Sequence, residues 1–226
     1  MFKSSQLWFS NQNELNDPYD CKYSISDDFL MSLFRRASET IEIDLKEHAD
    51  IHDRINNRIL PMLKTEKWMQ IFYNMLFGER LGWSVCCFTV DPLSELMWAF
   101  YGNNYKGVCL EFDFSKTIAL QEKLNQVKYN DTLPELCKVD DLVEILRTKK
   151  TAWSFEKEWR LISKTSGKVP FNKESLTGII FGFKASQNDI ENILKLLIDN
   201  GFTRIKAKQV KFRIKGVTLE NIDLNI

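Results

Sequence analysis

The chain has 226 residues, 44% hydrophobic and 12% aromatic, which is globular composition with enough length to bury one sizeable core. Its 31 lysines and arginines match its 31 aspartates and glutamates, so no overall field steers it toward nucleic acid or acidic lipid, and only local basic patches stay open. No apolar run approaches the ~20 residues a membrane helix needs, and the opening "MFKSSQLWFSNQ" lacks the long apolar segment of a signal peptide, which predicts a soluble, cytoplasmic protein with no membrane partner.

From the N-terminus, a short apolar run, "LWFS", passes into the turn-rich "SNQNELNDPYD", where Asn, Asp and Pro favour turns and local bonds to the backbone. Asp27 or Asp28 then caps an expected amphipathic helix whose apolar positions, Leu30, Leu33, Phe34, Ala37, Ile41 and Leu45, recur at three- and four-residue steps toward Leu60. A second helix is predicted over 66–81, with Gly82 as its stop. Beyond it the pattern changes to short apolar runs: "WSVCCFTV", "GVCLEFDF", "NQVKYN", "EKEWRLIS", "TGIIFGF", "RIKAKQV" and "FRIKGVTL". Helical segments are expected between them at "LSELMWAFY", "KTIALQEKL", "KVDDLVEILRTKKTAW" and "SQNDIENILKLLIDNG", the last capped by Ser186 and ended by Gly201. Strands and helices mix without a regular βαβ rhythm, so the fold class expected is α+β, and no Gly-rich phosphate loop is present.

Five cysteines, Cys21, Cys86, Cys87, Cys109 and Cys137, form an odd set without C-x-x-C spacing, which excludes a disulfide framework and a zinc ribbon and predicts reduced, mostly buried thiols. The two histidines, His48 and His52, would stack on one helix face, but the H-E-x-x-H order is absent and a solvated polar face is the expected outcome. No metal is expected. In "NELNDPYD", Asn16 and Asp17 precede Pro18; they either form a rigid turn or present polar groups at a cleft mouth. Met97, Trp98 and Tyr101 fall on one short helix, and the polar loop "GNNYKG" that follows has a composition suited to stacking on a flat ligand. On the strand after it, Val108, Leu110, Phe112 and Phe114 should face the core, with Cys109, Glu111 and Asp113 opposite.

The stretch "WSFEKEWRLIS" carries the densest charge pattern. On a strand, Glu156, Glu158 and Arg160 share one face, with Arg147, Lys149 and Lys150 shortly before them. That row is either the wet side of a sheet or a pair of carboxylates ~7 Å apart, one binding a substrate hydroxyl and the other stabilising positive charge while Arg160 keeps the pair ionised.

Taken in order, "LWFSNQNELNDPYD", "VCCFTVDPLSELMWAFYGNNYKGVCLEFDF", "VKYND", "KTAWSFEKEWRLIS" and "GIIFGFKASQNDIENILKLL" resemble the bacterial family called domain of unknown function 2971, over nearly the whole chain. More distantly, a turn-rich start, an aromatic helix entering a central strand and a late E-x-E strand resemble the ADP-ribosyltransferase-like fold, including its DNA-modifying toxin branch. That resemblance implies one α+β domain, residues 1–226, with a central mixed or antiparallel sheet and a helical insertion at 27–81. It implies NAD as substrate, Glu158 as catalytic carboxylate, Glu156 as its helper toward the acceptor, and Asn16, Asp17, Trp98, Tyr101 and Arg160 around the nucleotide. A protein or nucleic-acid acceptor and a role in toxin action or phage defence belong to the same expectation. Family members usually open with a further strand and helix ahead of "LWFS", and ADP-ribosyltransferases take a His or Arg for NAD from their first strand. Here "LWFS" follows only "MFKSSQ", so either the start is truncated, the pocket is completed differently, for instance by a partner at the N-terminal edge, or catalysis is lost. The rival readings are a non-catalytic interaction module and a nuclease built on the loose set Asp17, Glu111 and Glu158.

Overall fold

The computed structural model describes residues 2–40, 57, 60–65, 67, 83–116, 124–202, 204–214 and 216–222. In chain order the described strands are β1 (Gln6–Asn11), β2 (Ser24–Ile25), β3 (Ser84–Thr89), β4 (Val108–Phe112), β5 (Leu124–Gln126), β6 (Lys128–Tyr129) and β7 (Glu135–Leu136). They continue with β8 (Thr148–Lys149), β9 (Glu158–Ser163), β10 (Gly167–Pro170), β11 (Leu176–Phe181), β12 (Lys206–Arg213) and β13 (Gly216–Asn221). The described α-helices are α1 (Asp27–Thr40), α2 (Leu60–Leu63), α3 (Glu95–Phe100), α4 (Leu142–Leu146) and α5 (Gln187–Asp199).

The architecture is α+β. Where a single central sheet was expected, the strands divide between two main sheets. One is antiparallel in the order β10-β1-β3-β9-β5; the other is mixed, β13-β12-β11-β4, with β11 and β12 parallel. Two short parallel pairs, β2 with β7 and β6 with β8, complete the ladders. Period-two alternation explains how the sheets meet. Val108, Leu110 and Phe112 of β4, Ile179 and Phe181 of β11, and Leu7, Phe9 and Leu161 of the antiparallel sheet enter one core with Ile190, Leu194 and Leu197 of α5. The opposite face of the mixed sheet, with Ile180, Val210 and Cys109, is covered by Trp98 and Tyr105.

Several helix expectations need correction. Helix α1 starts with Ser26 ahead of it, whose Oγ accepts from Phe29 N at 3.3 Å, so Ser26 is the cap and Asp27 and Asp28 fill the first turn, where negative charge suits the dipole. The stretch "KVDDLVEILRTKKTAW" is not one helix: α4 ends at Leu146, Thr148–Lys149 pair with β6, and a 3-10 turn covers Thr151–Glu156. Lys128 N and Asn130 N donate to the carbonyls of Arg147 and Lys149 at 2.7 and 2.8 Å, and this pairing draws the chain out of the helix. Helix α5 matches its expectation, with Ser186 accepting from Asp189 N and Gly201 at φ +78° beyond its end. Of residues 27–81, expected to be a helical insertion, the described ones chiefly form α1 and α2, and the expected continuation of α1 past Thr40 lies outside them. The 66–81 helix for the most part, the histidines and 117–123 of the "KTIALQEKL" segment lie outside the described residues. No helix among them is long and apolar enough to cross a membrane.

Candidate active site

The candidate cavity begins as a divergence of two strands. β1 pairs with β3 only at Ser10↔Val85 and Asn11↔Ser84, while Gln6–Phe9 pair with β10 on the other side. Leu7 of β1 and Cys86–Thr89 of β3 then line a cavity of about 520 Å3, within the range of small-molecule sites. Leu110 and Phe112 from the mixed sheet and Met97 and Tyr101 from α3 and its cap supply apolar wall, so both sheets contribute.

The floor is charged. Glu158 and Arg160 share a face of β9, as the alternation predicts, and that face is buried: Arg160 is 0% exposed and Glu158 and Glu156 3% each. Glu156 is not on the strand. It ends the 3-10 turn, and Lys157, in the left-handed region at φ 46°, swings the chain so that Glu156 joins the same floor while Lys157 points to solvent and pairs with Asp91 at 2.7 Å. Arg160 donates from Nε to Glu158 Oε1 at 2.7 Å and from Nη2 to Oε2 at 3.1 Å. It also forks onto Asp20, Nη1 to Oδ1 at 2.8 Å and Nη2 to Oδ2 at 2.6 Å, and gives Leu146 O a bond at 2.9 Å. Lys149 Nζ donates to Glu156 Oε2 at 2.5 Å and Glu158 Oε2 at 3.2 Å, with Asp20 Oδ2 at 3.7 Å. At the outer end, Asn16 Nδ2 donates to the Tyr101 hydroxyl at 2.7 Å, and that hydroxyl donates to Glu156 Oε1 at 2.6 Å. Three carboxylates thus share two cations, leaving the floor one negative charge in excess when all are ionised.

Environment drives the two glutamates apart. Burial favours the neutral form of both, and for Glu156 it prevails: the carboxyl is raised above its ordinary value against the pull of Lys149 and Tyr101. For Glu158 burial is overcome by Arg160 and Lys149, which hold the carboxyl down at about 2. Glu156 also contacts the half-exposed Tyr101, whereas Glu158 is bonded to buried Arg160 and Lys149. Tyr101 is raised by burial and by the Glu156 carboxylate, so its hydroxyl stays a donor. Cys87 presents accessible surface to the cavity although protein encloses it, and burial, then Glu158, raise its thiol well above the ordinary value.

Most of this floor comes from one stretch of the chain. Residues 97–161 match a family model described as Protein of unknown function (DUF2971). The DUF2971 match spans "MWAFYGNNYKGVCLEFDF", "VKYND" and "KTAWSFEKEWRL" and holds Tyr101, Lys149, Glu156, Glu158 and Arg160, whereas Asn16 and Asp20 reach the floor from outside it. No curated protein and no solved structure matches the chain.

Of the residues singled out in the sequence, Asn16, Tyr101, Glu156, Glu158 and Arg160 line this one cavity, while Asp17 and Trp98 do not. Asp17 is buried in its own turn, its Oδ1 accepting from Tyr19 N at 2.9 Å. Trp98, three residues before Tyr101, turns into the core, stacks on Tyr105 at 6.0 Å and gives its indole N–H to Pro92 O at 2.8 Å. It borders only a smaller neighbouring cavity of about 140 Å3. In the "GNNYKG" loop Tyr105 turns inward, while Asn103, Asn104 and Lys106 stay exposed. Asn103, Asn104 and Tyr105 run consecutively at φ 50°, 51° and 66°, which folds the Tyr105 ring onto Trp98 and leaves no flat face for a ligand. Glu111 is paired with Lys208 at 3.0 Å and lines no part of the cavity, so the carboxylates of the nuclease reading are not assembled there. Lys149, Asp20 and Cys87 were not anticipated as site residues. For Lys149 the signal was its place in "RTKKTAW", read as a helix end; for Asp20, 140 residues from Arg160, there was none.

Proposed function

We propose that the cavity binds the nicotinamide and ribose end of NAD, or a nucleoside of the same shape, and breaks its N-glycosidic bond, passing the ribosyl group to an acceptor hydroxyl or to water. As the C–N bond breaks, its electron pair leaves with the nicotinamide and positive charge develops on the ribose. Glu158, permanently ionised, and the excess negative charge of the floor stabilise that charge. The acceptor oxygen bonds to the ribose carbon, and its proton passes to Glu156. Arg160 and Asp20 are positioning residues that hold Glu158, and Tyr101 orients Glu156.

The observation that carries this reading is the divergence of Glu156 and Glu158. Two carboxyls on one floor, one held ionised by Arg160 and one raised above its ordinary value beside the Tyr101 hydroxyl, are the arrangement that divides electrostatic stabilisation from proton transfer. The cavity's volume and apolar walls suit a planar base. Lys149 and Arg160 are both engaged by carboxylates, so the ligand's phosphates lie outside the floor. The same saturation favours one rival, a binding module in which the network only clamps the fold.

The experiment is incubation of the protein with NAD, following nicotinamide release chromatographically for wild type, Glu156→Gln and Glu158→Gln. Release by wild type that falls at least about a hundredfold in Glu158→Gln, in line with loss of a transition-state electrostatic contact, supports the reading. Absence of both release and thermal stabilisation by NAD in wild type sinks it and leaves the clamp.

A further inference from the structure

A second cleft, of about 470 Å3, opens where β11 begins and shares no lining residue with the cavity above. Among the described residues, Lys116, Lys173 and Arg204 line it against the single carboxylate of Glu174. Three separate places in the chain bring these cations together. Lys116 ends the 3-10 turn Phe114–Lys116 after β4, Lys173 starts the 3-10 turn Lys173–Ser175 before β11, and Arg204 follows α5. The two turns pack on each other. Among the described residues none of the three cations has a carboxylate within ion-pairing distance.

Lys173 is held in place by its bond to Asn200 O at 2.8 Å and by the Phe202 ring 5.5 Å beneath it. The nearby Asp113 carboxylate is engaged by Ser115, whose N and Oγ donate to it at 3.0 and 2.5 Å. Leu176 and Phe202, both buried, form an apolar floor, over which charges act more strongly than in open water. In a chain of zero net charge, residues 204–213 carry five cations and no acid, and Arg204 opens that run.

We infer that this cleft binds a small phosphate-bearing anion. Among the described lining residues the excess of two positive charges, three cations against Glu174, matches the charge of one phosphate group, ~2 at neutral pH. The guanidinium of Arg204 supplies a planar fork for two phosphate oxygens, and the lysines act as point charges beside it. The enclosed volume suits a mononucleotide or a diphosphate rather than a polymer backbone.

The test titrates the full chain with inorganic pyrophosphate and with 5′-AMP, against sodium chloride at equal ionic strength, by calorimetry and thermal shift. Saturable binding is expected for both, with each displacing the other, and Arg204→Gln and Lys116→Gln should each weaken it about tenfold. Both side chains are exposed, so these variants should fold, and Arg204→Lys should retain part of the affinity. Lys106→Gln, outside the cleft, should change nothing. The inference is overturned if chloride gives the same shift, if neither glutamine variant weakens binding, or if a single-stranded oligonucleotide binds while pyrophosphate and 5′-AMP do not.

Discussion

Replacing Arg160 with methionine keeps an unbranched apolar side chain of similar reach and removes the guanidinium on which the floor depends. The loss can be sized from the structure. Arg160 is fully buried and holds both oxygens of Asp20 and both of Glu158, so the variant leaves two buried carboxylates with Lys149 as their remaining cation, already shared with Glu156. Removing one partner of a buried ion pair costs ~3–5 kcal/mol, a large part of the ~5–15 kcal/mol that holds a domain folded. The pH dependence has a definite sign. In wild type, Glu158 is held at about 2, below the ordinary ~4.3 of glutamate, so its stabilisation is complete above ~4.3 and is lost as pH falls toward about 2. In Arg160→Met the same carboxyl is buried without its main counter-charge and its pKa rises, so the destabilisation is largest at neutral pH and is relieved by protonation as pH falls. Urea melts of both proteins at neutral pH and near pH ~4 should therefore show a wide stability gap that narrows in acid. A gap below ~1 kcal/mol, or one equal at the two pH values, would show that Arg160 is not the counter-charge of this floor.

Three further outcomes are expected. Tyr101→Phe removes a donor that lowers the Glu156 carboxyl, so Glu156 rises further and the acid limb of any nicotinamide-release profile should move to higher pH, with stability changed by only about 1 kcal/mol. Gly182→Ala places a Cβ 2.0 Å from the Tyr105 carbonyl oxygen and 2.5 Å from its carbon; because both are backbone atoms, a loss of at least ~1–3 kcal/mol in thermal or urea melts should follow. In peptide mapping after iodoacetamide treatment, exposed Cys137 should be labelled first, and Cys87, whose raised thiol is scarcely ionised at neutral pH, should react only as pH climbs. NAD should slow labelling at Cys87 and leave Cys137 unaffected if it occupies the cavity.

The sequence carried the local half of this architecture. Period-two alternation placed Val108, Leu110 and Phe112 on the core face of β4 and put Glu158 with Arg160 on one face of β9, because a strand's pleat is fixed by the backbone alone. It could not say whether the Glu158–Arg160 face is wet or buried. That depends on partners supplied by distant chain: Asp20, from the turn before β2, and Lys149, from a stretch that helical periodicity assigned to the end of α4. Trp98 and Tyr101 show the reverse failure. Both fall on one short helix and are expected around the same nucleotide, yet Tyr101 is the C-cap of α3, where the helix ends, and its ring leaves toward Glu156 while Trp98 packs on Tyr105.

A charged row becomes a buried floor only when its charges are matched before any ligand arrives, and that condition decides what the site can do. Arg160 and Lys149 already satisfy Asp20 and Glu158, so neither cation is available to a phosphate without exposing a carboxylate, and each such exposure costs several kcal/mol, on the order of a buried pair broken. Glu156 differs in one respect. Its Oε1 is held by Tyr101, a neutral donor on a half-exposed residue that Asn16 orients from the mouth, and that contact can be exchanged for a ligand hydroxyl without stranding a charge. In the proposed reaction a ligand therefore engages the floor through the Tyr101–Glu156 contact, with Glu158 beneath it as a fixed charge.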